Sequence, residues 1–443
     1  MKHLEAAGES HRREAADRGR LARASLLQPG DLRRAAPGLR AAADDGSITP
    51  SEAASILAQA TADLCLRDTS RRREMVARIA ERSGYSEELL AASIETLAAP
   101  FSSAARLEAF SRRVHQQRDL IGFVMPGNLP GAGLHEVVTA LMAGCSVMVK
   151  TAASEPDFPH EFAAAVERYS PALSRRIAVF DWSREQPELT GALREACDRV
   201  VVFGDDDTVA NLDASVRLRD GGGGDASERF AGFGHRVSGA IVAADSNGGD
   251  GQDDAPEILL ARDVTFFEQR GCLSPHHIFV EDAGGSRALA FAAEIAEAIG
   301  QLARVFPPPG WLRLEDAAAI RRARESARWR ALGGDSVQLW EGARLGWTVI
   351  YDQEALFTES PAFRTVYVSP FFDLADFARR LEPARGRVEA FAIAGHPRAN
   401  DQIRTLLRES GASYVCGAGA MQSPPVDWPH GDGGFFRSFV GEQ

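Results

Sequence analysis

From Leu120 onward the 443-residue chain alternates short β-branched runs with stretches of helix length, an order few folds accept. Leu120–Val124, Ser146–Val149, Arg176–Phe180 and Arg199–Phe203 predict strands, and Gly133–Ala143, Pro159–Tyr169 and Pro187–Ala196 predict the crossover helices between them. Parallel strands joined by helical crossovers build a doubly wound α/β sheet. After Leu259 the pattern resumes, with strands at His277–Val280, Thr348–Tyr351, Thr365–Val368 and Val388–Ile393 and helices at Ser286–Ile299, Leu314–Ala327 and Leu374–Leu381. The organisation read from this is a helical segment at 1–100, one α/β domain at 101–258, a second at 259–420 and a tail at 421–443.

Before Leu120 the texture is helical. Ser51–Cys65, Thr69–Ile79 and Ser86–Leu97 are patterned helices with Ser or Thr starts. Residues 1–45 are charged and Ala-rich and read as a loosely docked helical arm. Gly221–Gly224 and Asp245–Glu257 read as flexible connections.

Charge narrows the partners. With 62 acidic against 50 basic residues the net charge is −12, which argues against nucleic acid or an anionic membrane. No apolar run approaches the length needed to span a bilayer, and the first forty residues hold no secretory apolar stretch. A cytoplasmic protein with no membrane span is expected. The cysteines at 65, 145, 197, 272 and 416 are widely spaced and never form a CxxC pair, which fits reduced thiols. Of the 50 basic residues only Lys2 and Lys150 are lysine, so Lys150 marks a position suited to a compact ammonium on a flexible stem.

Four segments can carry chemistry. Cys272 lies in Phe266-Phe267-Glu268-Gln269-Arg270-Gly271-Cys272-Leu273-Ser274-Pro275, a turn ahead of a strand, where Gly271 permits an unusual backbone angle and the thiol can attack an acyl carbon. Val124-Met125-Pro126-Gly127-Asn128-Leu129-Pro130-Gly131 follows a strand, and the Asn128 amide can donate to an oxyanion. Lys150 ends a strand, at the edge where open α/β sheets bind ligands. Gly204 follows another, ahead of Asp205 and Asp206, which suit helix capping. His276 and His277 adjoin on a strand whose alternation sends them to opposite faces, so no metal site is read there.

Taken in order these segments resemble the aldehyde dehydrogenase superfamily, and within it the acyl-CoA reductase branch that supplies aldehyde for bacterial luminescence. The most specific pieces are Asp263-Val264 through Ser274-Pro275, the Gly127-Asn128-Leu129-Pro130 turn and the tail Ser423-Pro424-Pro425-Val426-Asp427-Trp428-Pro429-His430-Gly431-Asp432-Gly433. The resemblance implies an aldehyde dehydrogenase-like fold, with a Rossmann-type dinucleotide-binding domain, a second α/β domain bearing Cys272 and an active site in the cleft between them. It implies reduction of an acyl thioester, on coenzyme A or a carrier protein, to an aldehyde through acyl-Cys272. Asn128 and the Cys272 N–H would hold the oxyanion, while Pro126, Lys150 and Gly204 would contact the cofactor.

Departures from the superfamily pattern refine the expectation. Oxidising members place a water-activating glutamate in a Glu-Leu-Gly-Gly pattern, whereas this chain has Gly232-Phe233-Gly234-His235-Arg236. An acyl-enzyme without that base can wait for hydride. His235 is the candidate to activate the thiol or protonate the aldehyde oxygen. Ala153 stands three residues after Lys150, where NAD-preferring members often carry a glutamate for the ribose hydroxyls, which favours NADPH while leaving NADH open. No carboxylate for the nicotinamide ribose is found near Arg364-Thr365-Val366-Tyr367-Val368. Homo-oligomers and an acyl-activating partner protein are expected from the branch. The rival readings are an acyl-phosphate reductase, a non-redox acyltransferase using the same cysteine, and a degenerate scaffold subunit.

Overall fold

Runs such as Leu-Ile-Gly-Phe-Val at 120–124, apolar on both faces, form strands buried on both sides. The computed structural model describes residues 27–219, 229–244, 255–282, 284, 286–396 and 400–440. It divides into two units: Met1–Leu64, Ala104–Gly234 and Ser438–Gln443 make the first, Cys65–Ser103 and His235–Arg437 the second.

In the first unit β1 (Leu120–Val124), β2 (Ser146–Lys150), β3 (Ile177–Phe180), β4 (Arg199–Phe203) and β5 (Phe230–Phe233) form a parallel sheet of order β3-β2-β1-β4-β5. Strand order reverses between β1 and β4, so their carboxyl ends flank the crevice where such sheets take ligands. Gly133, at φ +83°, starts the following helix there, and a Cβ on it would lie 2.7 Å from the Met125 sulfur.

Residues 1–26 of the amino-terminal arm lie outside the described residues, and the part that follows docks more firmly than its composition suggests. Pro29–Asp44 is a helix whose Leu32, Ala36, Leu39 and Ala43 are buried. The first three pack with Leu120, Val124, Met148 and Leu193. Ser146 Oγ donates to the Leu39 carbonyl at 2.7 Å, and Arg40 is bidentate to Asp198 at 2.5 and 2.9 Å. The Arg-rich outer face masks this apolar stripe in the sequence.

In the second unit β6 (Val237–Val242), β7 (Pro275–Glu281), β8 (Val337–Glu341), β9 (Thr348–Asp352), β10 (Thr365–Phe371), β11 (Val388–Ala394) and β12 (Tyr414–Gly417) form a sheet of order β12-β11-β6-β7-β10-β9-β8. Only the β8–β9 pair is antiparallel. The core lies under the helix Ser286–Val305, with Ile278, Val280, Phe291, Ile295, Val349 and Val366 buried together.

The units part from the ranges expected above in three places. β6 belongs to the second sheet, so the change of unit falls at Gly234/His235 and not at 258. Residues 65–103 join the second unit, where Ser93 Oγ accepts the Phe267 N–H at 3.1 Å and the Tyr85 hydroxyl donates to the Phe267 carbonyl at 2.9 Å. The tail through Arg437 also belongs there: Trp428 is buried, stacks on His430 and donates to Ser413 Oγ at 2.9 Å. Gly221–Gly224 and most of Asp245–Glu257 lie outside the described residues. No described helix is long and apolar enough to cross a membrane.

Candidate active site

Cys272 follows a backbone that few sequences tolerate. Phe267, Glu268 and Gln269 are left-handed (φ 53°, 52° and 59°), as are Ala362, Phe363 and Arg364 (φ 61°, 52° and 56°). Such angles cost a non-glycine residue on the order of 1 kcal/mol or more each. The two runs hold each other. The Phe363 N–H donates to the Glu268 carbonyl at 2.9 Å, the Thr365 N–H to Gln269 Oε1 at 2.7 Å, and Gln269 Nε2 to the Pro275 and Thr365 carbonyls at 2.7 and 2.8 Å. The unusual angles therefore fall on these residues and not on Gly271, which the sequence reading had singled out.

Downstream, Ser238 Oγ donates to the Cys272 carbonyl at 2.6 Å and accepts the Ala390 N–H at 3.0 Å. Ser238 pairs with Pro275 in the β6–β7 register, and three residues upstream of each stand His235 and Cys272. Both residues thus lie at the amino edge of the same two central strands. Burial pushes the thiols of Cys65, Cys145 and Cys197 up to about 12 and raises that of Cys416 further, so these four are poor thiolates. Cys272 is only half-buried.

His235 Nε2 donates to Glu359 Oε1 at 2.6 Å. Glu359 sits in a short loop fastened by the two adjacent histidines. The Thr358 N–H donates to His277 Nδ1 at 3.0 Å, and the Ser360 N–H to His276 Nδ1 at 3.2 Å. The two imidazoles do not serve opposite faces as simple alternation predicts. The register advances one residue on β6, from Ser238 to Gly239, while it advances two on β7, from Pro275 to His277, leaving His276 as a bulge. Burial pushes His276 down to about 4 and His277 to about 3, so near neutral pH both rings are uncharged and can accept.

The first unit gathers the other candidates at the carboxyl ends of its strands. Pro126 and Asn128 follow β1, with Asn128 exposed, and Ser154 Oγ donates to the Gly127 carbonyl at 2.9 Å. Lys150 closes β2, level with Val124 and Phe180. Burial lowers its pKa, with the Asp181 carboxylate acting against that. Asp181 in turn accepts from Thr151 Oγ1 at 2.6 Å and from His160 Nε2 at 3.0 Å.

An anionic dinucleotide fits one part of this edge and not another. Desolvation that penalises the Lys150 ammonium is relieved by a phosphate or ribose oxygen beside it. The start of the helix Asp206–Arg219 is unsuited to phosphate, because Asp205 caps it by accepting the Thr208 N–H at 2.7 Å and two further carboxylates follow. The N–H of Gly204, a residue expected above to contact the cofactor, donates to the Phe233 carbonyl at 3.2 Å.

A model of the family described as acyl-CoA reductase (LuxC) matches residues 51–436. The chain belongs to that family. It is 20% identical over 302 residues to the long-chain acyl-protein thioester reductase of Aliivibrio fischeri and 21% over 306 residues to that of Photobacterium phosphoreum; each match takes in 67% of this chain. The matched stretches span 57% and 56% of those relatives' own lengths. Among solved structures, a NAD-dependent benzaldehyde dehydrogenase from Corynebacterium glutamicum superposes with a TM-score of 0.63 at 16% identity, covering 88% of this chain and 86% of that one. The aldehyde dehydrogenase KauB from Pseudomonas aeruginosa gives 0.66 at 14% identity, covering 91% and 84%. The fold of this acyl-CoA reductase family member is that of the aldehyde dehydrogenases.

Sequence reading missed four participants. Glu359 stands five residues before Arg364, outside the stretch searched for a carboxylate. Asp181 and His160 lie 30 and nine residues beyond Thr151, and only the parallel pairing of β2 with β3 brings Asp181 beside it. Ser238 was quoted only as the end of a segment noted for what it lacked. No group of three or more metal-ligating side chains forms a metal site among the described residues.

Proposed function

We propose that the protein reduces an acyl thioester, on coenzyme A or a carrier protein, to an aldehyde through acyl-Cys272, with NADPH as the preferred reductant. The observation that carries this reading is the placement of Cys272 and His235 at one edge of β6 and β7, with the cysteine backbone fixed by Ser238. Family membership and relatives named acyl-protein thioester reductases support the substrate class.

In this mechanism His235 takes the thiol proton and the Cys272 sulfur attacks the thioester carbonyl carbon. Asn128, by the resemblance, and the Cys272 N–H donate to the oxyanion. Collapse breaks the bond to the departing thiol, which takes the proton from His235, and leaves acyl-Cys272. A bound nicotinamide nucleotide supplies hydride to the acyl carbon, and Lys150 is the residue that would hold its ribose or phosphate. Release of the aldehyde breaks the carbon–sulfur bond and leaves a thiolate, and His235, having passed its first proton to the departing thiol, takes another from solvent and delivers it to the sulfur. NADPH is favoured because Ala153 brings no carboxylate to a 2′-phosphate.

The test is NADPH oxidation at 340 nm with a panel of acyl-CoAs, the aldehyde being trapped and identified. Oxidation by the wild type that is lost in Cys272→Ala supports the reading. Acyl-Cys272 that accumulates while neither NADPH nor NADH is oxidised would replace it with an acyltransferase.

A further inference from the structure

We propose that Glu359 is a positioning residue for His235, held in place by the adjacent imidazoles of His276 and His277. The inference rests on the reading of Cys272 and His235 given above. A histidine that exchanges a proton with a thiol must present one ring nitrogen to it, and the partner of the other nitrogen sets the ring's tautomer and orientation. Glu359 Oε1 lies 2.6 Å from His235 Nε2, the contact that sets the ring's tautomer and orientation in this proposal.

Burial does not lock this pair, since the His235 and Glu359 side chains are 46% and 38% exposed. An ion pair that open contributes little stability and ordinarily samples other geometries. The loop around it is what holds it. On either side of Glu359 a backbone N–H donates to a buried imidazole, Thr358 to His277 and Ser360 to His276. His277 is fixed as an acceptor at Nδ1, because its Nε2 bonds Ser369 Oγ at 2.9 Å while that hydroxyl donates to the Asp352 carbonyl at 2.7 Å. The bulge at His276 lets consecutive residues grip one loop.

The titratable and charged groups facing Glu359 are His235, His276 and Arg387, the last 3.8 Å from Oε2. The His235 hydrogen bond is the main influence that holds the Glu359 carboxyl below the usual glutamate range. The carboxylate is therefore ionised when His235 carries a proton, and stabilises that form.

The experiment follows acylation of Cys272 by an acyl-CoA with intact-protein mass spectrometry, without nucleotide, from pH 5.5 to 9, in the wild type, His235→Ala, Glu359→Gln and the double variant. The expected result is that Glu359→Gln slows acylation about tenfold near pH 7 and moves its pH midpoint down. The double variant is expected to be no slower than His235→Ala. Slowing by Glu359→Gln that is equal with and without His235, or an unmoved midpoint, would overturn the proposal. So would weaker nucleotide binding in Glu359→Gln with acylation unchanged, which would make Glu359 a nucleotide ligand. Failure of the underlying reading is distinct: acylation that persists in Cys272→Ala removes the nucleophile itself. The pairing is read independently by histidine NMR, where the His235 titration midpoint falls in Glu359→Gln if the proposal holds and stays if it does not.

Discussion

Arg364 Nε donates to Glu268 Oε2 at 2.8 Å, and the two side chains are 0% and 1% exposed. This ion pair joins the two left-handed runs that precede Cys272 and β10, and Arg364 also donates to the Phe306 carbonyl at 2.8 Å. Burial pushes the Glu268 carboxyl up, to about 7, with the guanidinium pulling against it. A charge in such a place tolerates no loss of its partner.

Arg364→Met is accordingly expected to destabilise the protein by about 3–5 kcal/mol, because it leaves a buried carboxylate without its cation. Replacing both partners with apolar residues should cost less. Urea unfolding of the two variants checks this, and a loss below about 1 kcal/mol for the single change would show that solvent reaches Glu268.

The clamp around Glu359 predicts a pH dependence. His276 and His277 titrate lower in the folded protein than their ordinary value of 6.5. Below that value the unfolded chain binds more protons than the folded one, so stability falls as pH drops from about 6.5 toward 4. For His276 the loss over that window is on the order of 3 kcal/mol. Chemical denaturation as a function of pH is expected to show this slope, flattened in His276→Asn. An unchanged slope would mean that other groups carry it.

At the first unit's edge Lys150→Ala is expected to weaken nicotinamide nucleotide binding about 10- to 100-fold, as loss of a hydrogen bond to a charged group does. His160→Ala should disfavour NADPH relative to NADH, since it removes a cationisable partner from Asp181, beside Lys150. Fluorescence titrations with both nucleotides measure this, and unchanged affinities in Lys150→Ala would place the adenosine end elsewhere.

The alternation of β-branched and helical stretches made most of both sheets legible, since strands buried on both faces leave continuous apolar runs. Phe230–Phe233, Val337–Glu341 and Tyr414–Gly417 escaped because they are edge strands with half-exposed residues, and Val237–Val242 because its Ser and Gly break the run. Cys272 and Lys150 stood out by residue type. The His235–Glu359 pair did not, because 124 positions separate its members and only the bulge at His276 closes the distance.

Helix Pro29–Asp44 was the least legible element, and its docking is testable. Leu32 is fully buried against β1 and β2 residues, so Leu32→Ala is expected to cost about 2–5 kcal/mol. Hydrogen exchange across β1 and β2 should rise with it. A neutral substitution would show that the helix contributes nothing to the sheet it covers.

The central claim is that Cys272 carries the acyl group to reduction. Its most direct test is a two-step single-turnover experiment: incubation with an acyl-CoA alone, peptide mapping of the acyl adduct, then addition of NADPH with the aldehyde trapped. The account predicts one acyl group on Cys272 that disappears on NADPH addition with one equivalent of aldehyde formed. An adduct on another residue, or an acyl-Cys272 that NADPH and NADH both leave intact, would contradict it.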